Sequence, residues 1–420
     1  MRRVIETLVG FAVLTGVVVG ITTLTPVELP RVTTVEAIRS TKVVCVPAAA
    51  GATVMVDNTT TVTPLGGATT QTNRAVLTGQ ETSVVAEGTD GPTGSTIVGN
   101  DGVRTLTQCV KPVSRGVIAL PATADTQLKI VNPDASEAAI DLTLYGAEGE
   151  IQSLGARGIT LAAYEERAIA LSVLTKKATP VGVSFQASRG RAAVMAITQT
   201  QSSGTAAGPS QLGTSHLLPG IPAGATSSVI VLANPSETRI TANLTAYGTT
   251  PAYHPQGGEN ISIPSHASVS VSLENALLGE ASAIQVSSDA PVMAGMAFTL
   301  GDSAQVAPVS AGTSLGAFTP LGGTLQLTNP GEGDVQATVT ATGADGTEER
   351  ATVTVGTGQT TVHKLPTATE QGQRVVVSSD QPLFGAVVSS GDTGSWAAPL
   401  ESMTKGENPP LAAELDPGLH

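Results

Sequence analysis

Five histidines, two cysteines and a scatter of aspartates are the residues of this 420-residue chain whose chemistry could matter most. A zinc site or a general base usually announces itself by spacing, two histidines one helical turn apart or a histidine near a cysteine pair. His216, His254, His266, His363 and His420 show neither pattern. His254 and His266 flank Gly257-Gly258 and read as loop surface, because matching positions elsewhere in the chain hold no histidine. A serine nucleophile needs a positioned base, and no His-Asp pairing stands out; no Gly-x-x-x-x-Gly-Lys phosphate loop occurs either. Asp289 and Asp380 recur in Ser-Ser-Asp-x-Pro. A calcium loop gathers six to eight oxygens, whereas each of these loops offers one carboxylate, so the expected role is a turn cap before a proline-fixed strand. No catalytic residue, metal or cofactor is expected.

Contact chemistry is the remaining class. Glycan platforms rely on exposed aromatic rings, and aromatics make up only 2% of this chain. Tyr145 and Tyr247 stand at equivalent strand ends and read as packing residues, which leaves Tyr164 and Tyr253 as the candidate contact tyrosines. Arg189 and Arg191, in Arg189-Gly-Arg191, would suit an anionic wall polymer, although nearby glutamates make a mixed solvated face the simpler reading. The stretch Tyr253-His-Pro-Gln-Gly-Gly258, with His254, completes the candidate surface. A net charge of −13 disfavours nucleic acid, which needs a cationic footprint.

Positioning falls to strands. Gly (46) and Pro (26) are frequent, charged residues make up 13%, and small β-branched residues fill much of the rest, a composition for many short strands. Residues 1–25 begin Met-Arg-Arg and run apolar from Leu8 to Leu24. Positive charge before the run turns that end toward the cytoplasm. Small residues suited to cleavage are missing just past it, so an uncleaved signal anchor is expected, with a cleaved export signal as the alternative. Residues 26–42 read as a stalk. Residues 43–112 form an irregular β segment, with Cys45 and Cys109 near its ends. In an oxidising compartment these two would close it as a disulfide.

Three repeats follow: 113–200, then 201–312 with a flexible linker at its start, then 313–400. Each carries an Asn-Pro strand: Leu128-Lys-Ile-Val-Asn-Pro133, Val229-Ile-Val-Leu-Ala-Asn-Pro235 and Leu325-Gln-Leu-Thr-Asn-Pro330. A glycine follows each asparagine 14 residues on, at Gly146, Gly248 and Gly343. The strand between alternates apolar and polar, which buries one face and wets the other. Proline cannot donate to a ladder, so Asn-Pro marks where the strand leaves its sheet. About seven short strands per repeat fit one immunoglobulin-like sandwich. Residues 401–420 lack periodicity and read as a disordered tail.

In Cys109-Val-Lys-Pro112, in Asn132-Pro133 through Tyr145-Gly146 and in Ser288-Asp-Ala-Pro291, the chain resembles an actinobacterial family. Its members are secreted or membrane-anchored proteins carrying a domain of unknown function. The resemblance implies a place in the cell envelope and brings no catalytic residues. The expectation is therefore an all-β protein: an N-terminal membrane-anchor helix followed by tandem immunoglobulin-like antiparallel β-sandwich repeats. It would be a single-pass membrane protein with its bulk extracytoplasmic. Its function would be non-enzymatic, structural or interactive, with the cell membrane as one expected partner and an envelope protein or wall polymer as a candidate second. The alternative is a glycan-handling accessory or enzyme with a site at a repeat junction.

Overall fold

The computed structural model describes residues 41–403 apart from 90, 101–102, 122–123, 177–179, 200–203, 320–321, 344, 367–371 and 390–394. The expected anchor, nearly all of the stalk, and residues 404–420 lie outside the described residues. Among the described residues no helix is long and apolar enough to cross a membrane.

The first unit runs through β1 (Thr41–Cys45), β2 (Ala52–Asp57), β3 (Thr61–Pro64) and β4 (Thr70–Gln71). It continues with β5 (Arg74–Gln80), β6 (Val84–Gly88), β7 (Thr93–Asn100) and β8 (Val103–Gln108). These strands form two antiparallel sheets, ordered β1-β6-β3-β4 and β5-β2-β7-β8.

The second unit has β9 (Arg115–Leu120), β10 (Thr126–Val131), β11 (Ala138–Gly146), β12 (Gly149–Ile151) and β13 (Ile159–Leu161). Then come β14 (Glu166–Ala170), β15 (Val181–Arg189), β16 (Ala193–Gln199) and β17 (Gly204–Ala207). Its sheets are ordered β9-β15-β11-β12 and β14-β10-β16-β17, the same arrangement as in the first unit. The segment 43–112 is thus a fourth copy of the fold. It hides in the sequence because β2 ends in Asp57-Asn58 where the other copies carry Asn-Pro. There the Asn58 N–H bonds back to Asp57 Oδ1 at 2.9 Å, and Asn58 takes a φ of 57°.

In the third unit lie β18 (Gly213–Ile221), β19 (Ser227–Ala233), β20 (Ile240–Tyr247), β21 (Ile261–Ile263), β22 (Ser268–Ser272), β23 (Ser282–Leu300) and β24 (Asp302–Val306). The fourth has β25 (Gly312–Thr319), β26 (Thr324–Thr328), β27 (Val335–Gly343), β28 (Glu348–Val355) and β29 (Thr360–Lys364). It closes with β30 (Gln373–Ser389), β31 (Trp396–Pro399) and β32 (Glu401–Ser402). In these two units the sixth and seventh strands fuse into one, β23 or β30. The first half of β23 pairs with β18 and β20, its second half with β19 and β24. Ser288-Asp-Ala-Pro291 is the crossing point between sheets. Asp289 there accepts the Thr241 N–H at 3.0 Å, so the carboxylate caps backbone, within a continuous strand and not before a new one.

Each unit is a sandwich with its core between the sheets. β11 buries every second residue, and Ile140, Leu142 and Leu144 meet Leu128, Ile130 and Val194 from the facing sheet. Each such side chain stabilises the fold by roughly 1.5–3 kcal/mol over exposure. Counted without the short β13, which lies off the main strand order of the second unit, the pairs of second with fifth and third with sixth strand are those of an immunoglobulin domain. The first and seventh strands, however, have exchanged sheets relative to that scheme. Two boundaries also move. Gly204–Ala207, read as linker, is the inner strand of the second unit. Glu401–Ser402, read as tail, pairs with β25, and the Met403 N–H bonds Ser314 O at 2.8 Å.

The four units close into a ring. The opening residue of each fifth strand bonds to the unit before it. Glu166 accepts the Ser83 N–H at 2.9 Å. Ser268 accepts the Gly182 N–H at 3.0 Å and donates to Tyr145 O. Thr360 donates to Tyr247 O at 2.7 Å. Arg74 of the first unit donates to Gly343 O of the fourth at 2.9 Å, which completes the circle. Apolar seams run beside these bonds: Val44 and Val85 on Val131 and Met195, Tyr145 and Val117 on Val231 and Met293, Tyr247 on Phe384. The fourth seam seats Leu106 of the first unit in the core of the last. The last strands of the units, β8, β17, β24 and β31, contact one another in cyclic order at the centre. Cys45 and Cys109 form the expected disulfide, which fastens β1 to the residue after β8, where the Val44 and Val110 backbones also pair.

Candidate functional site

The repeated asparagines are buried in all three copies that carry them, at 0–1% exposure. Asn132 Nδ2 donates to Ser136 O at 2.7 Å and to Ala162 O at 2.8 Å, while Oδ1 accepts the Asp134 N–H. Asn234 and Asn329 repeat the pattern. A side chain whose donors and acceptor are all spent on local backbone has none left for a ligand. The Asn-Pro motif is a structural rivet between two loops of one sandwich.

Arg191 and Arg189 lie beside that rivet in the second unit. Arg191 forks onto Asp134 at 2.7 and 3.2 Å, and Lys42 of the first unit reaches the same carboxylate at 2.9 Å. The Arg191 hydrogen bond is the main reason the Asp134 carboxyl falls to about 2, against opposing burial and with Lys42 assisting. This ion triad fastens the first unit to the second. The shift lowers the folded-state pKa, so its stabilisation is fully present above the ordinary value of 3.8 and drains as pH falls toward about 2. In acid titrations followed by circular dichroism, Asp134→Asn is expected to flatten the loss of stability in that window. An unchanged acid limb would refute the assignment. Arg189 pairs with Glu137 at 2.8 Å on the open surface, a bond of little energetic weight.

Tyr164 is 49% exposed at a φ of 57°, and its N–H bonds Asp134 O at 3.2 Å. His266 and Gly358 occupy the same left-handed turn in the next two units. Tyr164, Arg189 and Arg191 therefore share one end of the second unit. Tyr253 and His254 belong to the third unit and are structural pins. The Tyr253 backbone pairs with Ala246, its hydroxyl donates to Ala276 O at 3.3 Å, and His254 Nδ1 lies 2.8 Å from Leu244 O. His216 is buried against Gly213 O and Val292 O, at 3.0 and 2.9 Å from Nε2. Burial pushes its pKa down, and the two carbonyls pull it back.

One serine-nucleophile pattern went unread in the sequence, Gly312-Thr-Ser-Leu-Gly316. It lies inside β25, with Ser314 paired to Ser378 in the ladder. A nucleophile elbow needs a strand-to-helix turn, and this is neither.

The feature that spacing alone did not reveal is on the ring axis. A cavity of about 290 Å³ opens where the inner strands converge, and all four units contribute to it. Small residues make much of its wall, Ala206, Ala307 and Ala397 among them; Gln108, Lys111, Gln305 and Glu401 supply the polarity. Burial raises the Glu401 carboxyl, with Lys111 pulling it down. A signal was there: Ala304-Gln-Val-Ala-Pro308 matches Ser395-Trp-Ala-Ala-Pro399, and both segments prove to be inner strands. Extending that match to Cys109-Val-Lys-Pro112 and Ala206-Ala-Gly-Pro209 would have put Lys111 and Glu401 near one axis.

A family model described as "Family of unknown function (DUF5719)" matches residues 59–366. No curated protein matches the chain. A solved structure described as a "tetra-tandem repeat in extending region of large adhesion protein" is 14% identical, and the match covers 85% of this chain and 93% of that one. Its TM-score is 0.11, too low to support any structural comparison.

Proposed function

The chain belongs to that family of unknown function, and we propose that it is a non-enzymatic structural or interaction protein of the cell envelope. In this reading the apolar N-terminal segment holds it in the membrane, and the ring of β-sandwiches stands outside the cell. The observation that carries it is the closed ring itself. Polar side chains at equivalent positions of the units are spent on rivets and junctions, as Asn234 and Ser268 are, which is the use expected in a rigid scaffold. The disulfide supports an oxidising compartment, and the resemblance to actinobacterial secreted or anchored proteins supports the envelope. The exposed end of the second unit, with Tyr164, Arg189 and Arg191, is the proposed contact surface for an envelope protein or wall polymer.

In-cell crosslinking of the full-length protein, combined with fractionation, tests this. The expected result is a protein in the membrane fraction, open to external protease and crosslinked to an envelope component. Recovery from the cytosol would overturn the location. A protein that crosslinks to nothing, and whose deletion leaves the envelope intact, would overturn the role. The axial cavity favours keeping a second reading, a ligand-handling accessory. A glycan is the weaker occupant, because no aromatic ring is among the residues lining the cavity.

A further inference from the structure

We propose that the axial cavity binds a small zwitterion of amino-acid or dipeptide size, its carboxylate received by Lys111 and its ammonium group by Glu401. The cavity, at about 290 Å³, is at the small end of ligand pockets, which excludes polymers threaded whole. It is a built site and not a gap between loosely touching bodies. Its walls come from strands that occupy the same position in four units, and seams of buried side chains hold those units together.

Its polar groups are unequally satisfied. Gln305 is only 8% exposed, and its Oε1 has no hydrogen-bond partner among the described residues. Its backbone N–H is taken by Thr205 Oγ1, and its Nε2 reaches Thr198 Oγ1 at 3.4 Å. That oxygen is covered by protein, so it belongs to the wall behind the lining and is not itself a ligand contact. Glu401 is the acceptor that reaches the cavity. Protein surrounds it, yet it keeps some surface open, and its carboxylate has no hydrogen bond or ion pair among the described residues.

Lys111 is exposed, also lines the cavity, and feels the Glu401 charge without an ion pair to it. One cation and one anion, separated and facing a shared space, are complementary to a molecule carrying the opposite pair. The ammonium group of such a ligand can donate to the Glu401 carboxylate, which keeps surface open to the cavity. Walls of alanine and proline accept a short apolar side chain and offer an aromatic or sugar ring no stacking partner.

Calorimetric titration of the full chain with glycyl-alanine tests the assignment. Saturable binding is expected. N-acetyl-glycyl-alanine, which lacks the ammonium group, and glycyl-alanine amide, which lacks the carboxylate, should each bind about tenfold more weakly or worse. Lys111→Met should erase the preference over the amide and keep the preference over the acetyl form. Glu401→Gln should do the reverse. Absence of saturable binding by glycyl-alanine, or equal binding of the free and blocked forms, overturns the proposal. Lys111 is on the surface, so its variant is expected to fold. If Glu401→Gln does not, the blocked dipeptides on the unaltered chain decide the question with Lys111→Met.

Discussion

Asn234→Ala is expected to lower the stability of the third unit by about 3 kcal/mol or more. The side chain is fully buried and makes its bonds in two directions. Nδ2 donates to Thr238 O at 2.7 Å, Ile263 O at 3.2 Å and Pro264 O at 3.0 Å; Oδ1 accepts from the Ser236 N–H and hydroxyl at 2.8 and 2.7 Å. Alanine removes all of these and leaves carbonyls that water does not easily reach. Asn234→Asp, nearly the same shape, should be at least as harmful, since a carboxylate would face those carbonyls. Urea unfolding by circular dichroism gives the size of the loss. Fluorescence from Trp396, the chain's one tryptophan, reports the fourth unit and shows whether the damage crosses the junction at Thr360. A loss under about 1 kcal/mol would mean that the motif is not a rivet.

Breaking the Cys45–Cys109 bond should be the other large effect. The two cysteines are 64 residues apart, and closing a loop of that length restricts the unfolded chain by about 4 kcal/mol. The first unit also closes the ring. Arg74 sits over the Phe318 ring at 5.3 Å, Asp57 lies 3.5 Å from Arg374, and Gln108 donates to Phe318 O. The paired variant Cys45→Ala with Cys109→Ala is therefore expected to lose about 4 kcal/mol in its first unit. It should also exchange amide hydrogens faster in β25, which belongs to the last. Unmoved urea midpoints, or faster exchange confined to the first unit, would show that the ring does not transmit the loss.

Sequence periodicity shows the local elements well and the assembly poorly, for reasons visible in particular residues. Alternation in β11, β20 and β27 is dictated by one buried face, so those strands are legible. The disulfide is legible because two cysteines leave one pairing. The fourth copy of the fold is not, because Asp57-Asn58 stands where the other copies carry Asn-Pro. Ring closure is invisible for a different reason. Junction bonds fall on Glu166, Ser268, Thr360 and Arg74, four residue types with no common chemistry, since each needs only to reach a backbone group. Arg191 and His254 look like free surface in the sequence because their partners, Asp134 and Leu244 O, are distant along the chain.

Four similar sandwiches on one chain are at risk of trading strands during folding, because a strand from one unit can complete its neighbour. The geometry works against that exchange. The inner edges of one sheet from each unit meet at the axis, so none presents an unpaired ladder to a passing strand. On the outer side of the first three units the edge strands β4, β12 and β21 are two or three residues long, too short to template another chain; the fourth unit's edge, β28, runs to eight residues. Strands β23 and β30 belong to two sheets at once and cannot be donated without dismantling both. A chain that repeats its own fold is kept from mistaking one copy for the next.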